Sequence, residues 1–244
     1  MLAIRGLIFF AVLTLSTGCS LFEKKKDESS ADIYVQLGIR YLNMNRLEVA
    51  KENLELALKE EPNNMQAHNA LAFLFEKIEK YPEAEEQYDI ALNLKPDDLG
   101  VQNNYGRFLC DRKKYDQGLE LLSKAIANLL NDRPWLALTN AGICQLGLGQ
   151  KQKAKAYFKQ ALNANASYAP ALLEMQKFSY RSGEYWPAKA FLQRYLAVAP
   201  HTAESLWYGL QTERALGNEG LANEYKNLLL EKFPLSEEAK KTGH

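Results

Sequence analysis

Cysteine and histidine are scarce in this 244-residue chain, at three each, and neither sign of charge is in excess, with 30 Lys+Arg against 30 Asp+Glu. A chain without net charge lacks the basic field that nucleic-acid binders present. No apolar run reaches the roughly 18 residues of a membrane-spanning helix. Glycine (14) and proline (8) are too few for a collagenous or low-complexity chain. The histidines stand at 68, 201 and 244, never at the i, i+4 spacing of a helical metal site. Gly147 and Gly149 follow a helical pattern, not a strand, so they mark a helix stop instead of a dinucleotide loop. Carboxylate pairs such as Glu60-Glu61 and Glu85-Glu86 read as solvated faces. Neither a nucleophile elbow nor a phosphate loop is present. The sequence therefore predicts no enzyme, metal, cofactor, nucleic-acid partner or small-molecule substrate.

The N-terminus is of a different kind from the rest. Arg5 precedes a nine-residue apolar core, Leu7 to Leu15, too short to span a bilayer but suited to a secretory signal. Ser16-Thr17-Gly18-Cys19 follows. This resembles the bacterial lipobox, although Ser16 stands where leucine is usual, and the resemblance implies that Cys19 is acylated and becomes the first residue. The alternative is an ordinary signal peptide cut nearby. Ser20, not Asp, follows the cysteine; by resemblance to enteric lipoproteins this favours the outer membrane, with the protein facing the periplasm. Removing residues 1–18 takes away only Arg5 and leaves one net negative charge. Residues 19–30 are polar and mixed in charge, a tether. From 20 to 31 it reaches at most ~40 Å. Its Lys24 to Lys26 triplet reads as solvated linker or as a contact to anionic head groups.

Beyond the tether the chain repeats. Ala50, Ala84, Gly118, Ala154, Ala188 and Ala222 recur at intervals of 34, with one interval of 36. Around them stand Tyr34, Leu37, Gly38, Tyr41, Leu54, Ala57 and Pro62, then His68, Leu71, Ala72, Phe75, Tyr88, Ala91 and Pro96. These fit the tetratricopeptide pattern. Six repeats follow, at about 31–64, 65–98, 99–134, 135–168, 169–202 and 203–236, leaving 237–244 as a tail. The third has two extra residues before Pro134; Gln176 and Leu210 take the small-residue place in the last two. The fold expected is all-α, a right-handed superhelical solenoid of helix pairs in which small residues let backbones approach. Gly149, Gly183 and Gly217 suit the left-handed turn between paired helices, and Asn45 can serve likewise. Glu79 and Lys113 fit that place poorly. His68, at the pattern's tryptophan position, is expected to pack in the core.

A lipobox, a tether and six repeats together resemble the type IV pilus biogenesis and stability lipoproteins, pilotins of the pilus secretin. Asn103-Asn104-Tyr105-Gly106-Arg107-Phe108-Leu109-Cys110, then Tyr115 and Cys144, look like that family's own signature. The resemblance implies a non-enzymatic escort that binds the secretin and promotes its outer-membrane localisation and multimerisation. Two rivals remain: another lipid-anchored repeat adaptor, serving β-barrel assembly or cell-wall enzymes, and a cell-wall hydrolase or transferase with appended repeats. Export and the two cysteines left after lipidation predict a Cys110–Cys144 disulfide between adjacent first helices, against a pair of buried thiols. In this repeat family positions 2, 5, 9, 12 and 13 of the first helix face the groove. Asp32, Val35, Ile39, Leu42 and Asn43 hold them in the first repeat, so Val35, Ile39 and Leu42 are expected to point at solvent. Asn69, Phe73, Asn103 and Arg107 continue the groove, and Leu136, Ile143 and Leu146 close it with a second apolar patch. An apolar secretin segment is the expected occupant, unless Leu21 and Phe22 of the tether fold back onto the first patch.

Overall fold

A computed structural model describes residues 29–243; Cys19, the signal segment and nearly all of the tether lie outside them. Thirteen α-helices and no strand occur among the described residues. Six pairs make the array: α1 (Ser30–Asn43) with α2 (Leu47–Glu60), α3 (Met65–Lys77) with α4 (Tyr81–Leu94), and α5 (Leu99–Asp111) with α6 (Tyr115–Ala127). Then come α7 (Pro134–Gly147) with α8 (Lys151–Ala164), α9 (Ala169–Arg181) with α10 (Tyr185–Leu196), and α11 (Ala203–Ala215) with α12 (Glu219–Lys232). Among the described residues no helix is long and apolar enough to cross a membrane.

Local chemistry sets these boundaries. Four of the six first helices begin at polar caps, whereas α7 and α9 have proline in their first two positions and no side-chain cap. Asn64 accepts from Ala67 N and, one repeat on, Asp98 from Val101 N. Ser29 and Thr202 form reciprocal capping boxes with Asp32 and Ser205. Each first helix ends in a left-handed residue, and the next N–H turns back to close a six-residue ring, as from Arg46 N to the Tyr41 carbonyl. Glycine fills that place at 149, 183 and 217. The same geometry holds Asn45 (φ 56°), Glu79 (φ 60°) and Lys113 (φ 61°). Glu79 and Lys113, expected to fit poorly, adopt the conformation all the same, because packing of the paired helices fixes the turn whatever residue occupies it.

Small residues act by proximity. A Cβ on Gly38 would lie 2.6 Å from the Leu54 side chain, and one on Gly142 would lie 2.4 Å from the Phe158 ring. Leu54, Tyr88, Leu122, Phe158, Leu192 and Leu229, each from a second helix, are fully buried against the first-helix layer. Consecutive first helices touch one another, whereas each second helix reaches the next repeat mainly through that repeat's first helix. The first helices therefore form the inner layer of a curved stack. Residues 237–240, expected to belong to a tail, form a short helix, α13 (Glu237–Lys240), which buries Ala239 against Leu206 and Leu229 and caps the array.

Candidate partner-binding groove

The inner face is built by α1, α3, α5 and α7. Its first depression, about 160 Å³, is lined by Ile39, Leu42, Asn69, Phe73 and Asn104 among others. A second, about 190 Å³, lies between Asn103, Asn104, Leu136 and the α6–α7 loop. Beyond it, Ile143, Leu146 and the Cys110–Cys144 pair border a third, with Glu174, Lys177 and Arg181 on its far side.

Not every residue expected in the groove reaches it. Val35 is 1% exposed and packs on Ala57 and on Ala67 of the next repeat. Leu42 is 4% exposed, clustered with Leu54, Leu71 and Leu74, and only its edge borders the first depression. Ala31, Val35, Gly38 and Leu42 form the buried stripe of α1 at helical spacing. The neighbouring α3 covers that stripe, which turns positions 5 and 12 of the first repeat into core. Of the three apolar residues expected to face solvent, Ile39, at 40% exposure, is the one that does. Ile143 (38%) is its counterpart in α7, with Leu136 and Leu146 half-buried beside it.

Between the two apolar ends the floor is amide. Asn104 Nδ2 donates to Asn69 Oδ1 at 3.3 Å, Asn103 Nδ2 to Asn104 Oδ1 at 3.4 Å, and Asn140 Nδ2 to Asn103 Oδ1 at 2.9 Å. Four side chains on three helices form one ladder, and each amide keeps a donor or acceptor to offer a peptide backbone. Asn104 and Asn140 were not expected here. Each is the sixth residue of its repeat, and Asn104 also stands in the signature segment that begins at Asn103.

Arg107 lies in the floor but is not free. Its guanidinium donates to both carboxylate oxygens of Glu76 (2.7 and 2.8 Å) and to Asp111 (2.9 Å), and it stands over the Phe73 ring. Burial opposes the charge, but Glu76, with Tyr88 and Asp111 adding to it, holds the guanidinium pKa above its ordinary value. Glu76 also accepts from the Tyr88 hydroxyl at 2.5 Å. Burial first, then Glu76, drives the Tyr88 phenol far above the usual tyrosine range; Tyr105, bonded to Asp89 at 2.6 Å, is raised likewise. Arg107 is thus spent on Glu76 and Asp111, which leaves apolar contact and amide hydrogen bonds as the binding chemistry this stretch of the groove offers.

Cys110 and Cys144 are joined by a disulfide across α5 and α7, Cα to Cα 5.3 Å, both largely buried. The bridge explains a glycine. A Cβ on Gly118 would stand 2.5 Å from Cys110 Sγ and 2.6 Å from the Gly106 carbonyl oxygen. His68 is in the core, its Nδ1 2.7 Å from Gln87 Oε1 and its Nε2 3.0 Å from the Pro62 carbonyl. Among the described residues no cluster of three or more His, Cys, Asp or Glu could hold a metal ion.

Tetratricopeptide repeat profiles match residues 35–99 and 97–167. The type IV pilus assembly protein PilF of Pseudomonas aeruginosa is 29% identical over 240 residues, 96% of this chain and 95% of its own. The crystal structure of PilW, a widely conserved type IV pilus biogenesis factor, is 31% identical, with a TM-score of 0.76 over 89% of this chain and 100% of that one. A structure of P. aeruginosa PilF gives 30% identity and a TM-score of 0.73, covering 88% and 96%. Repeat register, helix pairing and near full-length identity agree, and the chain belongs to the tetratricopeptide repeat family of type IV pilus biogenesis proteins that includes PilW and PilF.

Proposed function

We propose that this protein is an outer-membrane lipoprotein of the periplasmic face, acylated at Cys19, that binds the type IV pilus secretin and promotes its outer-membrane localisation and multimerisation. It acts by binding and performs no chemistry of its own. The observation that carries this reading is the inner groove, with apolar ends at Ile39 and Ile143 and an amide ladder between them. Such a surface suits an apolar segment of a protein, extended or helical, lying across α1 to α7. The relatives named for pilus assembly and the lipobox-like Cys19 supply the setting.

The test is affinity isolation from detergent-solubilised membranes, run beside the Cys19→Ala variant. The secretin is expected to co-purify, and the variant is expected to leave the outer-membrane fraction. Recovery of β-barrel assembly proteins or cell-wall enzymes in place of a secretin would transfer the assignment to a different lipid-anchored adaptor. A variant that still fractionates with outer membranes, beside a wild type without acyl mass, would refute the anchor.

A further inference from the structure

The two extra residues of the third repeat fall in the α6–α7 loop, and that loop holds two leucines in water. Leu129 is 100% exposed and Leu130 87%. The turn that displays them is fastened by its own side chains. Asn128 Oδ1 accepts from Leu130 N, Asn131 Nδ2 donates to the Ala125 carbonyl, and Asn131 Oδ1 accepts from Arg133 N, all at 2.7–2.9 Å. An apolar pair held outward by a bonded turn is a presented feature.

Topology says what it is presented to. Paired helices are antiparallel, so all first helices start at one edge of the array, where the inter-repeat loops also lie. Ser29, the cap of α1, is on that edge, and the tether leaves from it. Leu235, 88% exposed in the loop after α12, is on it too. Ten residues from Cys19 to Ser29 reach at most ~35 Å. Three repeats separate α1 from α7, about 30 Å at ordinary helix spacing, so one surface can meet both the acyl group and the leucine tip. Charge does not oppose this: Lys124 and Arg133 flank the tip, solvated and paired with Glu120 and Asp132.

We propose that the Leu129–Leu130 tip is a second membrane contact, inserting at the head-group boundary of a phospholipid surface. It rests on the acylated-Cys19 reading above. The acyl chains hold the protein at the membrane, and the tip fixes which edge of the solenoid faces the lipid and hence where the groove opens.

The test uses the acylated protein in vesicles of phosphatidylethanolamine and phosphatidylglycerol, with a polarity-sensitive fluorophore at Leu130→Cys or, on the opposite edge, at Met44→Cys. The native pair at 110 and 144 is oxidised and takes no label. A blue shift and quenching by lipid-borne quencher are expected at position 130 and not at 44. Adding Leu129→Ser should abolish them. In unacylated Cys19→Ala protein, Leu129→Ser with Leu130→Ser should weaken binding to the same vesicles about tenfold or more. Protein that fails to float with vesicles refutes the anchor, and the proposal with it. Protein that floats while position 130 stays in water refutes the tip alone. A shift that needs added secretin, or that grows with protein concentration in the absence of lipid, assigns the tip to a protein partner or a second copy and overturns the proposal.

Discussion

Glu79 and Lys113 sit at φ values of 60° and 61° in turns where three sister repeats use glycine. A left-handed backbone costs a Cβ-bearing residue about 1–2 kcal/mol, and glycine's greater unfolded-state entropy returns part of that. Glu79→Gly and Lys113→Gly are therefore expected to stabilise the fold by about 0.5–1 kcal/mol each, read from urea midpoints at unchanged slope. No gain at either site would mean the turn geometry is set otherwise. Tyr88 and Tyr105 act in the opposite sense, as latent weaknesses. Their folded pKa values lie above the unfolded value near 10. The contribution is thus complete below about pH 10 and is lost as pH rises beyond it, because the unfolded chain releases protons that the folded one retains. Denaturant midpoints measured from neutral pH upward should stay level through that range and then fall. Tyr88→Phe should make the alkaline fall shallower.

At the scale of elements, α5 and α7 are linked twice, by packing and by the Cys110–Cys144 bond. A cross-link across 34 residues stabilises by about 3.8 kcal/mol in the chain-entropy view. Reduction should lower the thermal midpoint substantially, and unfolded, unreduced protein should show no reactive thiol at either position. The bond also constrains α6. Gly118→Ala would press a methyl group against both Cys110 Sγ and the Gly106 backbone, at a cost of about 1–3 kcal/mol. If the glycine is there for the sulfur, Gly118→Ala should cost less in a Cys110→Ala background than in the wild type. A full loss that persists in the double variant would assign the constraint to the Gly106 carbonyl.

For the whole molecule, the groove is the face from which curvature removes side chains. Val35 and Leu42 share α1 with Ile39, yet the next repeat covers the first two and leaves the third in water. A groove variant must respect that distinction. Ile39→Asp with Ile143→Asp should keep the helical circular-dichroism spectrum and reduce secretin multimers severely. Val35→Ser should instead loosen the first repeat by about 2–3 kcal/mol. Normal multimers from the folded double variant would remove the groove from the mechanism. The sequence alone carried the repeat period, the helix pairs and the glycine turns, because propensity and one-residue sterics act within a turn or two of helix. It also carried the cysteine pair, since positions 12 and 10 of adjacent repeats both fall late on neighbouring first helices. It could not divide the inner from the covered positions on a first helix, because that division depends on how far one repeat rotates onto the next. Nor could it reveal that Arg107 is neutralised by Glu76, 31 residues away and one repeat earlier, or that Glu79 and Lys113 bear left-handed strain. Those outcomes follow from contacts between repeats, where packing overrides the preference of the single residue.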